Sequence, residues 1–250
     1  MKLNKIEPKY ISKSNPRIGL IALGSDFRIE KDFNNIIYGR DIDLYVNRIH
    51  CYNPLTNETL AKMAEDITEV TKDILPDQKI DCVAYGCTSG TVAAGYEVIK
   101  EKINLAKPEA KVTTPITSTI KALNVLGINK ISIFTPYTKT INDSVASYFK
   151  KENITINSLT YFDIDSDLDI GKVDEDYLFE VLSKIDLEDS DALFVSCTAL
   201  PVLSIIDKLE KKIKKVVLSS NQTLIWDSLI EIKYKEKIEG FGKLFNSENI

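Results

Sequence analysis

An acidic residue, an apolar run and then Cys-Thr occur twice in this chain, as DCVAYGCTSG from Asp81 and as DALFVSCTAL from Asp191. The cysteines that close the two runs, Cys87 and Cys197, stand 110 positions apart. The flanking segments match in the same order. RIGLIALGSDF, from Arg17, falls on KISIFTPYTKT, from Lys130, and KVTTPITSTIKAL, from Lys111, on KVVLSSNQTLIWDSL, from Lys215. Any two stretches of alternating strands and helices share an apolar pattern, so the hydrophobic part of this match carries little weight. Cys-Thr at the same strand end in both halves is not explained that way, and the chain reads as one α/β unit used twice.

Short β-branched runs predict strands at 17–23, 43–49, 81–86 and 111–115, and again at 130–136, 154–162, 191–196 and 215–220. Each is followed by a helix-like segment, the signature of a parallel sheet. The expected fold is α/β, with two pseudo-symmetric doubly wound domains, each built on a four-stranded parallel sheet, and the active site in the cleft between them. No Gly/Ser-rich linker separates the halves. The boundary is expected near Pro115, before the helix TSTIKALNVLG, and the helix after the last strand corresponds to that connecting helix and crosses back. The expected domains are therefore residues 1–115 plus 222–250, and residues 116–221.

Composition narrows the partners. A formal charge of −5, from 32 basic and 37 acidic residues spread along 250, leaves no basic stripe for nucleic acid. No apolar stretch approaches the ~18 residues that span a bilayer, and no apolar segment of a secretion signal precedes the first strand. A cytoplasmic protein with reduced thiols is expected, since four cysteines without regular spacing form neither a disulfide framework nor a zinc pattern.

Ligands of parallel α/β sheets collect beyond the carboxyl ends of the strands, where amides of the following turn point outward. Cys87 and Cys197 both occupy that position, and each is followed by hydroxyl-rich sequence and a helix start. A helix dipole and nearby hydroxyls would lower such a thiol from about 8.5 toward neutrality. Free cysteine is more often a small buried hydrophobe, the reading that suits Cys82, inside an apolar strand, and Cys51, beside Tyr52 at a strand exit. For Cys87 and Cys197 the placement favours chemistry. Two thiols presented to one cleft suggest a two-base arrangement that needs no cofactor: one removes a proton from, or adds to, one face of a carbon, and the other protonates the opposite face. The hydroxyls of Thr88, Ser89, Thr198, Ser219 and Ser220, with nearby amides, would hold a substrate carboxylate.

Other catalytic patterns fail. GTVAAGYE, from Gly90, has the glycine spacing of a phosphate loop, but Tyr96 and Glu97 stand where Lys and Ser/Thr are required, and neither G-x-G-x-x-G nor G-x-S-x-G occurs. The single histidine, His50, excludes a His-based metal cluster and reads as a surface or strand-end residue. No metal site is expected.

YGCTSGT, SCTAL, TPYT and SSNQTLIWDSL, in that order over roughly residues 16–232, resemble the maleate isomerase and arylmalonate decarboxylase branch of the aspartate/glutamate racemase superfamily. LGSDFRIEKDF, LYVNRIHCYNPLTNETLAKM and DALFVSCTAL are most similar to the ectoine-utilisation protein A group of that branch. The resemblance implies cofactor-free chemistry at a carbon next to a carboxylate, with Cys87 as nucleophile or base and Cys197 as proton donor on the other face. Decarboxylases of the branch keep only the second cysteine, so a chain with both points to racemisation or isomerisation. The resemblance makes Tyr137 a substrate-binding hydroxyl and brings in Ser220, Asn221 and Gln222 at the last strand exit, where the competing reading is a helix N-cap. Homodimers are common for this fold.

Two positions depart from the family pattern. Asp26 and Asp167 stand where the isomerases carry asparagines, and carboxylates there would repel a dicarboxylate and favour a substrate with an ammonium group; a neighbouring Arg28 or Arg48 could instead neutralise Asp26. The expected activity is a two-cysteine racemase or isomerase of a small amino acid or carboxylic acid, with a diaminobutyrate-type product of ectoine breakdown as one candidate substrate. Maleate cis-trans isomerisation by thiolate addition and a non-catalytic small-molecule-binding regulatory protein are the alternatives.

Overall fold

The computed structural model describes residues 1, 3–11, 14–187 and 189–246. Its strands are β1 (Arg17–Leu23), β2 (Asp43–Ile49), β3 (Cys82–Gly86), β4 (Lys111–Thr113), β5 (Lys130–Thr135), β6 (Thr155–Tyr161), β7 (Ala192–Val195) and β8 (Val216–Ser219). They form two four-stranded sheets, ordered β2-β1-β3-β4 and β6-β5-β7-β8, and every pairing is parallel. The two orders are the same, as a duplicated unit requires. The central strands β1, β3, β5 and β7 are near-continuous apolar runs because helices cover both faces of each sheet.

The matching aspartates locate the ends of the sheets away from the site. Asp81 accepts the Arg17 N–H at 2.9 Å where β1 begins, and Asp191 donates its N–H to the Lys130 carbonyl at 2.8 Å where β5 begins. In each sheet the chain winds one way from the first strand and then reverses, so the switch point lies between β1 and β3 in one half and between β5 and β7 in the other. Ligands are expected in the crevice beyond those carboxyl ends.

The helix Ser220–Glu231 ties the halves together. It follows β8, yet residues Ser220 to Leu229 are all buried, because the helix crosses back to pack on β3 and β4 of the first sheet and against the helices Pro115–Val125 and Ile29–Ile37. Several of its polar side chains are paired across that contact. Thr223 meets Thr119 at 3.0 Å, Ser228 meets Thr113 at 2.8 Å, and Asp227 accepts from Ser118 at 2.8 Å and from Lys121 at 2.5 Å. Buried polar groups paired in this way fix the register of the two halves. Among the described residues no helix is long and apolar enough to cross a membrane.

Candidate active site

Cys87 sits one residue past β3 and caps the helix Thr88–Ala94, its sulfur accepting the Gly90 N–H at 3.2 Å. The Ser89 hydroxyl lies 3.9 Å from the same sulfur. Only glycine fits at position 90, since a Cβ there would stand 2.8 Å from the Cys87 sulfur and 2.9 Å from the Tyr85 hydroxyl. Cys197 follows β7 with φ +110°, a backbone conformation that favours glycine. Its N–H donates to Ser220 Oγ at 3.0 Å, and the Thr88 hydroxyl donates to the same oxygen at 2.8 Å. Thr198 donates to the Gly86 carbonyl at 3.2 Å.

These bonds revise two expectations. Thr88, Thr198 and Ser220 stitch one half to the other instead of standing open as a row of carboxylate donors. The helix N-cap after β8 is Ser219, which forms a capping box with Gln222; this leaves the Ser220 hydroxyl free to support the Cys197 backbone.

Around the thiols lie three buried carboxylates. Asp26, just past β1, is 1 % exposed, and its Oδ1 accepts the Arg28 and Ile29 amides at 2.7 and 3.0 Å. Asp167 accepts the Ser25 hydroxyl at 2.5 Å and donates its N–H to Asn53 Oδ1 at 3.3 Å. Asp32, on the helix Ile29–Ile37, accepts from Asn221 Nδ2 at 2.8 Å, and the same amide nitrogen donates to the Thr198 carbonyl at 2.8 Å. Neither arginine neutralises Asp26 directly. The Arg28 guanidinium bonds the Gly171 carbonyl, and that of Arg48 bonds the Leu23 and Asp26 carbonyls and Glu30.

Burial sets the titration of every one of these groups. It raises Asp26, against the opposing pull of the Ile29 and Arg28 amides, the Thr198 hydroxyl and Arg48. It pushes Asp32 up to about 7 and Asp167 up to about 6, with the Asp26 charge adding to both. The expected lowering of the thiols is reversed. Burial raises Cys87 and Cys197 well above the ordinary thiol range; Cys51 and, less strongly, Asp167 add to Cys87 against the Gly90 amide, and Asp167 adds to Cys197 against the Ala199 amide. The helix start contributes one hydrogen bond to Cys87, too little to offset removal from water among carboxylates.

Tyr137, past β5, is buried and interacts with both thiols. Its hydroxyl is raised by burial and then by Cys197 and Cys87, and it in turn favours the Cys197 thiolate by hydrogen bonding. Cys51 corrects a further expectation. It is buried, as a core cysteine should be, but it borders this site: after burial, which raises it to about 11, Asp167 and Asp26 push it up and the Ser25 hydroxyl draws it down. Cys82 stays in the core beside Thr113, and His50 is exposed and packs edge-on against Tyr52.

The sequence reading missed Ser25, Asp32, Cys51 and Asn53 as parts of the site. The cue for Asp32 was a carboxylate on the apolar face of an amphipathic helix, among Ile29, Phe33 and Ile36. Cys87, Cys197, Asp26, Tyr137 and Asp167 are each at most 6 % exposed, so the cleft is closed. Across it the Leu55 N–H donates to the Asp165 carbonyl at 2.7 Å, and the Phe27 ring lies against Gly171. Among the described residues no cluster of three His, Cys, Asp or Glu is arranged to hold a metal ion.

A two-half α/β enzyme with paired cysteines at equivalent strand ends is the class that this fold and site define. The arylmalonate decarboxylase family model matches residues 45–245, and the chain belongs to that family. Maleate isomerase of Geobacillus stearothermophilus is 24 % identical, over 93 % of this chain and 98 % of the relative. The crystal structure of the maleate isomerase Iso from Pseudomonas putida S16 superposes with a TM-score of 0.86 at 21 % identity, covering 94 % of this chain and 100 % of that one. Maleate cis-trans isomerase of Nocardia farcinica, a cysteine-to-serine mutant with a covalently bound succinylcysteine intermediate, superposes with a TM-score of 0.85 at 19 % identity, covering 93 % and 98 %.

Proposed function

We propose that the chain is a cofactor-independent isomerase acting at the carbon next to a carboxylate of a small acid, with Cys87 and Cys197 as its reacting groups. The observation that carries this reading is the pair of buried thiols at equivalent strand ends, both in the field of Asp167 and both acting on Tyr137.

The first course is cis-trans isomerisation, supported by the maleate isomerase relatives and by the succinylcysteine in the Nocardia farcinica enzyme. The Cys87 thiolate adds to one olefinic carbon of a cis acid such as maleate, and Cys197 gives its proton to the other. The carbon–carbon bond, now single, rotates. Cys197 then takes the proton back and the sulfur–carbon bond breaks, which releases the trans acid and restores both sulfurs. Tyr137 and Ser89 hold the carboxylate whose oxygens take up charge as the thiolate adds.

A second course, racemisation, is favoured by the buried Asp26 and Asp167. One sulfur removes the α-proton of an amino acid and the other delivers a proton to the opposite face. A diaminobutyrate-type product of ectoine breakdown is a substrate of that kind. Both courses need a thiolate; burial raises both thiols, and the Gly90 amide on Cys87 and the Tyr137 hydroxyl on Cys197 are the groups that favour the charged forms.

A change in ultraviolet absorbance as maleate is converted is the signature of the first course. Deuterium entering the α-carbon of an amino acid in D2O, read by proton NMR, is the signature of the second. The absence of both signals across maleate and the common amino acids would remove the isomerase reading.

A further inference from the structure

The site contains acceptors that nothing in the protein fills. Asp26 Oδ2 is buried without a hydrogen-bond partner, since Oδ1 takes both amides and the nearby Thr198 hydroxyl donates to Gly86. Asn221 Oδ1 is likewise buried and unpartnered, its Nδ2 being used by Asp32 and the Thr198 carbonyl. The two orphan oxygens both border Thr198, and both flank Asp32, which Asn221 bonds and the Asp26 charge raises. An unpaired buried carboxylate oxygen and an unpaired amide oxygen are each costly, and together they call for a donor.

No cation of the chain supplies one. Arg28 and Arg48 point their guanidinium groups at backbone carbonyls and Glu30, as described above. Among the described residues the only buried lysine or arginine is Lys107, whose ammonium is held by the Leu75 and Gln78 carbonyls at the far end of the first sheet.

We propose that the substrate carries a protonated amine, held by Asp26 Oδ2 and Asn221 Oδ1, so that the site selects an amino acid over a dicarboxylate. The inference rests on the site being the isomerase site proposed above. A dicarboxylate would bring a second negative charge to a site that already holds Asp26, Asp32 and Asp167, with no lysine or arginine among the described residues bonded to any of the three carboxylates. An ammonium satisfies both orphan acceptors and balances Asp26.

Isothermal titration of the full chain at pH 8 tests this with the twenty common amino acids and 2,4-diaminobutyrate, each paired with its desamino counterpart, and with maleate. At least one amino acid is expected to bind about tenfold or more tighter than its desamino partner and than maleate, the worth of one charge-assisted hydrogen bond. Asp26→Asn, which keeps the acceptor for the Arg28 and Ile29 amides, is expected to lose that preference and gain affinity for maleate. A second variant, Asn221→Asp, is expected to retain the preference, and a thermal melt of each variant confirms folding.

Tightest binding by maleate or a desamino acid, no binding by any amine, or an amine preference unchanged in Asp26→Asn overturns the inference. The proposed reaction fails separately: a Cys87→Ser chain that turns substrate over at the wild-type rate would sink the assignment of Cys87 as a reacting group and leave the amine preference standing.

Discussion

At the scale of single residues, the site depends on backbone positions as much as on the sulfurs themselves. Gly90 is held to glycine by the Cys87 sulfur and the Tyr85 hydroxyl, so Gly90→Ala should displace the thiol by a few tenths of an ångström while the chain stays folded. A loss of kcat of about a hundredfold is expected, the effect of slightly misplaced reacting groups, and steady-state kinetics beside a thermal melt would check it. Cys197 makes the converse case. Its positive φ is strained for any side chain, and Cys197→Gly should be more stable than Cys197→Ala by about 1 kcal/mol, both being inactive. Paired denaturant titrations measure that difference; equal stabilities would mean that the backbone relaxes when the thiol is removed.

Residues of this kind were legible in the sequence only where the repeat marked them. Cys87 and Cys197 stood out because the same dipeptide closes the same strand twice. Asp32 and Cys51 did not, because a carboxylate on a helix and a cysteine in an apolar stretch look ordinary until the opposite half of the chain is brought against them. The titration of the thiols was misread for a related reason: a helix start is visible in sequence, whereas the exclusion of water by residues more than a hundred positions away is not.

At the scale of elements, strand positions followed from apolar runs and turn residues, with ends moved by one or two residues, as at Pro115, where the helix begins, and at Pro136. The crossing of the last helix followed from the repeat. Its energetics did not, because they depend on pairs such as Asp227 with Ser118 and Lys121, separated by about a hundred residues. Asp227 is held above the ordinary carboxylate range by burial, and Lys121 draws it back down. Asp227→Ala should destabilise the chain by about 2–3 kcal/mol, since it leaves Ser118 without its acceptor and a half-buried ammonium without its main partner. The additional Lys121→Met change should recover part of that loss. Urea unfolding of both variants tests the pair.

At the scale of the whole molecule, the buried acids tie stability to pH. Asp32 and Asp167 titrate near 7 and 6 in the folded chain, against 3.8 when unperturbed. The folded chain therefore retains protons that the unfolded chain releases, so the stability these groups contribute is complete below about pH 4 and falls as pH rises through 6 and 7. Asp32→Asn removes one such group and still accepts from Asn221. Its Tm relative to wild type should climb by several degrees between pH 4 and pH 8, and a difference that stays flat would mean that Asp32 is not buried as a neutral acid.

The central claim is that the two thiols work as one unit on one substrate. Its most direct measurement is kcat for Cys87→Ser, Cys197→Ser and the double variant, side by side, on whichever acid the wild-type chain turns over fastest. The account predicts that each single change lowers kcat by about a thousandfold or more and that the double change costs no more than either alone, as for groups that act together. A single variant that keeps more than about a tenth of the wild-type rate, or losses that multiply in the double variant, would contradict it.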